Sequence, residues 1–128
     1  MFKFGEASLK NREGINLGLI HILDHAIKIT KVDFGIPNTG GLRTAHQQGA
    51  LYEHGASKAD GYIKKSYHQT GRAVDVHAYV DGKVSYDELH LAMVAAAMLQ
   101  SASALGYVVE WGGLFRRRKD MPHFQLIV

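Results

Sequence analysis

Residues 66–75 read Ser66-Tyr67-His68-Gln69-Thr70-Gly71-Arg72-Ala73-Val74-Asp75, an imidazole and a carboxylate seven residues apart across a glycine. His68 closes a polar segment, residues 56–70, that reads as a long surface loop, whereas Asp75 lies inside residues 73–80, an alternating run that reads as a strand. A rigid element can thus fix one donor while a loop presents the other. Gly71 permits the tight entry and Ala73 leaves the shared face open. Imidazole and carboxylate both suit Zn²⁺, but the pair alone is a weak motif in a chain with 8 histidines, so its surroundings must carry the reading.

Downstream of the strand, Asp81-Gly82 predicts a tight turn into Lys83-Val84. Ser85 and Glu88 predict a capping box opening a helix that runs through Leu105 and stops at Gly106. Residues 91–99 are apolar throughout, so this should be the most buried helix. Residues 107–111 and 123–128 read as two late strands. Upstream, residues 32–36 read as a strand, and Thr44 with Gln47 forms the capping box of a helix ending at Gly55. Residues 15–30 form an amphipathic helix with His21, Asp24, His25 and Lys28 on its wet face. This order points to an α+β domain, a small and mainly antiparallel sheet with flanking helices.

A length of 128 residues accommodates one domain, 1–128, without a separate targeting module. The absence of cysteine excludes disulfides, thiol nucleophiles and Cys-ligated metal centres, so any metal must be held by His, Asp or Glu. The longest apolar run, residues 91–99, is too short for a membrane span, and the first residues lack the apolar core of a secretory leader. Synthesis and retention in the cytoplasm are therefore expected. Fifteen Lys and Arg against 12 Asp and Glu leave a net charge of +3, which favours an anionic partner.

His21 and His25 stand at i and i+4, but Ile22 occupies the position where a zincin helix needs Glu, so both read as ordinary polar-face residues. His46, His54 and His90 lack acidic or His partners at ligand spacing. An open catalytic zinc site takes three protein ligands plus water. The candidate third ligand is His123, after Pro122; His77 is its rival, being on the same strand face as Asp75. Asp120, three residues before His123, is either a general acid and base or a loop carboxylate neutralised by Arg116, Arg117, Arg118 and Lys119. Arg43, after Gly40-Gly41, is either a surface cation or a fork for a substrate carboxylate or carbonyl.

Together these stretches resemble a known family. Residues 66–75 are similar to the S-x-H-x-x-G-x-A-x-D signature of the D-Ala-D-Ala carboxypeptidase family of zinc peptidases. Trp111-Gly112-Gly113 followed by Asp120-Met121-Pro122-His123-Phe124 resembles its second signature, and residues 40–55 resemble its Arg-Thr segment opening a Gln-rich helix. Within that family the chain most resembles short phage endolysins of the L-alanyl-D-glutamate peptidase type. The resemblance implies Zn²⁺ on His68, Asp75 and His123, with Asp120 as catalytic acid and base. It also implies Arg43 as the residue that binds or polarises substrate, and Ser66 as a small polar residue lining the site.

The function so implied is hydrolysis of the peptidoglycan stem peptide between L-Ala and D-Glu, lysing a bacterial host. Such a lysin is expected to be a monomer that reaches the wall and periplasm only after a separate holin-like protein opens the membrane. A D,D- or L,D-carboxypeptidase would use the same zinc site. A non-enzymatic basic protein binding nucleic acid through residues 116–119 would need interleaved stacking aromatics, and these are not evident, so no nucleic-acid partner is expected. Polar loop residues such as Asp60 leave room for a second, regulatory ion.

Overall fold

A computed structural model describes all of residues 1–128. The chain runs through α1 (Glu6–Asn11), α2 (Leu17–Ile29), β1 (Asp33–Gly35), α3 (Ala45–Glu53), a 3-10 turn (Tyr67–Thr70), β2 (Ala73–Asp75), β3 (His77–Val80), β4 (Lys83–Ser85), α4 (Glu88–Leu105), β5 (Val108–Trp111), a second 3-10 turn (Gly112–Leu114) and β6 (His123–Ile127). The α+β class is as the sequence predicts. In place of one sheet there are two antiparallel three-stranded sheets, ordered β1-β3-β4 and β2-β6-β5.

The division falls inside the run read as a single strand, residues 73–80. At Val76 the backbone N–H leaves the ladder and donates to the carbonyl of Pro122 at 3.0 Å. Before that point the chain pairs with β6, and after it with β1. The β3–β4 hairpin closes at Asp81-Gly82 with φ of 53° and 75°, the left-handed pair that a two-residue turn requires.

Asn16 caps α2 by accepting from the N–H of Gly18, and Leu19, Ile22, Leu23, Ala26 and Ile27 form its buried stripe. That stripe meets Val94, Ala95, Met98 and Ala102 of α4, and Val74, Phe124 and Leu126 of the second sheet complete the core. Two expectations need correction. The N-cap of α4 is Asp87, which accepts from the N–H of Leu89, while Ser85 Oγ engages His90 Nδ1 and the N–H of Asp87. Nor is α4 the most buried helix: Leu89 is 67% exposed, and Met93 and Leu105 are also open. By length and composition α4 could cross a membrane, yet its inner face packs against α2 as a core helix does. The unpredicted α1 is tied to the end of β1, where Ser8 Oγ accepts from the N–H of Ile36 and Asn11 Nδ2 donates to the Ile36 carbonyl.

Candidate metal centre

In the second sheet, Asp75 of β2 is the direct cross-strand partner of His123 of β6, and facing residues of an antiparallel pair share one side of the sheet. His68 arrives from the 3-10 turn, where Ser66 caps by accepting from the N–H of His68 and Gln69 returns a side-chain acceptor to the N–H of Ser66. Gly71 then reverses the chain into β2 with φ 73°. The 40–43 loop holds both donor segments: the N–H of Asp75 donates to the Gly40 carbonyl at 2.8 Å, and the N–H of Arg43 to the His68 carbonyl at 3.1 Å.

Three atoms converge. His68 Nε2 lies 3.1 Å from Asp75 Oδ1 and 3.3 Å from His123 Nδ1, and His123 Nδ1 lies 3.1 Å from the same Oδ1. The remaining ring nitrogens are committed elsewhere. His68 Nδ1 is 2.9 Å from the Gly41 carbonyl, which can only accept. His123 Nε2 is 2.8 Å from Gln125 Oε1, and the Gln125 amide donates in turn to Glu110 Oε1 at 3.0 Å. These outer bonds place a hydrogen on each outward nitrogen and leave two imidazole lone pairs aimed at each other and at a carboxylate oxygen. Such a triangle is repulsive until a cation sits among its corners. Its edges are close to the roughly 3.4 Å between neighbouring donors of a tetrahedron with bonds of about 2.1 Å, so the donor set fits Zn²⁺.

The electrostatics agree. Burial opposes charge on Asp75, but hydrogen bonds and charge from His123 and His68 outweigh it and hold the carboxyl far below the usual range. Burial also opposes charge on His123, and Asp75 overrides it, pushing the ring's pKa up. Both shifts express a demand for positive charge at this spot.

Arg43 is 9% exposed and uses each of its nitrogens: Nε donates to the Thr39 carbonyl, Nη1 to Gln48 Oε1, and Nη2 to Asp75 Oδ2 at 3.0 Å. Burial lowers its pKa despite the Asp75 carboxylate. Its guanidinium fixes the far oxygen of Asp75, so the near oxygen points at the two imidazoles. Gln48, fully buried, joins this fork to the 57–59 loop through Ser57 Oγ and the Ala59 carbonyl.

Asp120 sits exposed at the mouth. Burial of part of its carboxyl and the nearby charge of Asp75 raise its pKa, while His123, His68 and Arg43 pull it down less strongly. It therefore lies within the field of the whole cluster. Its N–H donates to the Gly112 carbonyl at 2.9 Å, and its own carbonyl accepts from the N–H of His123 at 3.0 Å. A Cβ on Gly112 would lie only 2.1 Å from the Asp120 carbonyl oxygen, so glycine alone fits there. Trp111 stacks on Phe124 and donates its indole N–H to the Met121 carbonyl at 2.7 Å, bracing the same loop.

The other histidines stay out of the cluster. His77, the rival ligand, bonds through Nε2 to Tyr79 Oη and packs edge-on between Tyr79 and Tyr86. His21 meets Tyr107 Oη and half-buried His25 meets Ser101 Oγ, so both tie α2 to its neighbours. Asp60, considered for a second ion, spends Oδ1 on the N–H groups of Tyr62, Ile63 and Lys64, a loop-forming role. The sequence reading missed Gln125, Glu110 and Gln48. Only Gln125 left a trace, as the residue two positions after His123 and hence on the same face.

Three protein donors, a carboxylate at their mouth and a fixed guanidinium, carried on an α+β frame, are the parts of a metal-dependent hydrolase. Comparison with known proteins narrows this class. The chain belongs to the phage L-alanyl-D-glutamate peptidase family, whose model matches residues 1–125. It is 30% identical over 115 residues to the L-alanyl-D-glutamate peptidase of Escherichia phage T5, covering 87% of this chain and 80% of that one. It is 30% identical over 100 residues to the peptidoglycan L-alanyl-D-glutamate endopeptidase CwlK of Bacillus subtilis (strain 168), covering 70% of this chain and 59% of that protein. The crystal structure of the Serratia marcescens L-Ala D-Glu endopeptidase ChiX superposes with a TM-score of 0.85 at 33% identity, covering 98% of this chain and 90% of that one.

Proposed function

We infer that this protein is a peptidoglycan endopeptidase that hydrolyses the L-alanyl–D-glutamate bond of the stem peptide. The observation that carries the reading is the donor triangle of His68, Asp75 and His123 within a chain of this family. We propose that His68 Nε2, Asp75 Oδ1 and His123 Nδ1 hold Zn²⁺. Bound there, zinc would supply Lewis-acid polarisation of the scissile carbonyl and lower the pKa of water toward about 7.

The remaining work falls to side chains. Asp120, at the mouth and with its pKa raised, takes the proton of the attacking water on its carboxylate and delivers it to the leaving amine. Arg43 holds Asp75 in register and sets a fixed positive charge near the substrate carbonyl. Ser66 keeps His68 in place through the cap of its turn, on the side where substrate lies. The protein acts at the bacterial wall as a monomer and, having been made in the cytoplasm, reaches the periplasm through a separate holin-like protein.

Mass spectrometry of digested muropeptides tests the reaction. New N-terminal D-Glu is the expected product, and loss of only terminal D-Ala would instead identify a D,D- or L,D-carboxypeptidase. Metal analysis of the purified protein, paired with clearing of permeabilised cells with and without chelator, tests the cofactor.

A further inference from the structure

Arg116, Arg117, Arg118 and Lys119 take no part in the hydrolysis derived above, yet they occupy a loop whose two stems reach the site. All four are exposed, and none belongs to any of the molecule's ion pairs. They fill the span between Phe115 and Asp120. The Phe115 ring lies 6.0 Å from the ring of His123. Phe115 and Asp120 both donate their N–H to one acceptor, the Gly112 carbonyl, at 3.2 and 2.9 Å. Both stems of the loop are thus held at one point, and only four residues separate them. The loop that carries the four cations therefore starts and ends beside the metal centre.

Adjacent unpaired cations repel one another, and their arrangement is favourable only toward an anion. The substrate offers one. Glutamate has two carboxyl groups and only one continues the peptide, so the residue on the leaving side of the cut bears a free carboxylate a few bonds from the reacting amide, unless that group is amidated. Arg43 is already engaged by Thr39, Gln48 and Asp75. Asp75 and Asp120 would repel the substrate anion. The 116–119 loop offers three guanidinium forks outside any ion pair, on a loop whose stems lie at the site, and guanidinium geometry suits carboxylate.

We propose that the Arg116, Arg117, Arg118 and Lys119 loop is a carboxylate-recognising rim, selecting stem peptides whose glutamate bears a free acid over those in which it is amidated. The proposal rests on the L-alanyl–D-glutamate reading. Because the ion pairs formed are partly exposed, the preference is on the order of tenfold and weakens with salt.

The test uses the zinc-loaded protein and two soluble muropeptides that differ only in whether the glutamate carries a carboxylate or a carboxamide. Wild type is expected to favour the acid in kcat/KM by about tenfold at low salt. The quadruple variant Arg116→Gln, Arg117→Gln, Arg118→Gln, Lys119→Gln should lose most of that preference, the acid peptide suffering more than the amide. A control that removes the same charge elsewhere, Lys10→Gln, Lys28→Gln, Lys31→Gln, Lys83→Gln, should keep it. If the quadruple variant fails to fold by circular dichroism, the three single Arg→Gln variants report the same quantity in part. A preference that survives in the folded variant overturns the proposal. So does a loss confined to intact walls and absent with soluble peptides, which would make the anion a wall polymer. Wild type cutting both peptides equally sinks the rim and leaves the activity standing. Wild type cutting neither between Ala and Glu sinks the activity, and the rim with it.

Discussion

Asp120 is bound to the frame through its backbone alone, by its N–H to Gly112 and its carbonyl to His123. Replacing its carboxylate by the isosteric amide leaves both bonds intact, so Asp120→Asn should lower kcat by roughly 10²- to 10⁴-fold with bound zinc retained. Turnover measured alongside metal content checks this; an active Asn variant would remove Asp120 from the chemistry. Gln125 behaves differently, because it fixes the protonated side of His123. Gln125→Ala should weaken zinc binding by about 10- to 100-fold, measured by competition with a chromogenic chelator, with little loss of folding stability. At this scale the sequence was informative about donors and poor about their supports. Residue chemistry put His68, Asp75 and His123 among the candidates with His77 as a rival, and the family resemblance singled out the three. Glu110 becomes relevant only through the β5–β6 register, in which it faces Gln125, and no single stretch of sequence contains that pairing.

Among the elements, the turn after β5 governs the mouth of the site. Gly112→Ala would force a Cβ into the Asp120 carbonyl oxygen, so the loop has to move and take the carboxylate with it. Activity should fall at least 10²-fold while the sheets persist, a separation that circular dichroism and turnover together detect. Trp111→Phe keeps the stack on Phe124 and removes only the donor to Met121. Its expected cost is about 1 kcal/mol of stability with a larger proportional loss of kcat, and the cost in kcat should vanish in an Asp120→Asn background. Elements were readable wherever a local device specifies them. Thr44 with Gln47 forms the predicted capping box, and Asp81-Gly82 forms the predicted turn. Ser85 with Glu88 has the same spacing but loses to Asp87, which stands directly at the first turn of α4, while His90 claims the Ser85 hydroxyl. The α1 helix escaped notice because its anchors, Ser8 and Asn11, find their partner only at Ile36.

Across the whole molecule, the candidate metal donors join segments that are 55 residues apart in sequence, His68 and His123. A cation bound there stabilises the native chain by mass action. Stripping it with a chelator should lower Tm by about 10 °C, and zinc should restore the value; an unchanged Tm would mean the three donors hold no ion in the folded protein. The α+β class followed from element order, since helices interleaved with few short strands leave little other choice. The split into two sheets was illegible, because residues 73–80 alternate without interruption. What breaks the strand is a distant acceptor, the Pro122 carbonyl, taking the N–H of Val76.

The single carbonyl of Gly112 that receives both Phe115 and Asp120 has an evolutionary consequence. Whatever lies between those two posts can be rewritten in length, charge or bulk while the Asp120 carboxylate keeps its address. If the proposed rim does the selecting, a lineage can retune it by editing four codons, leaving the three donors of the candidate metal centre untouched.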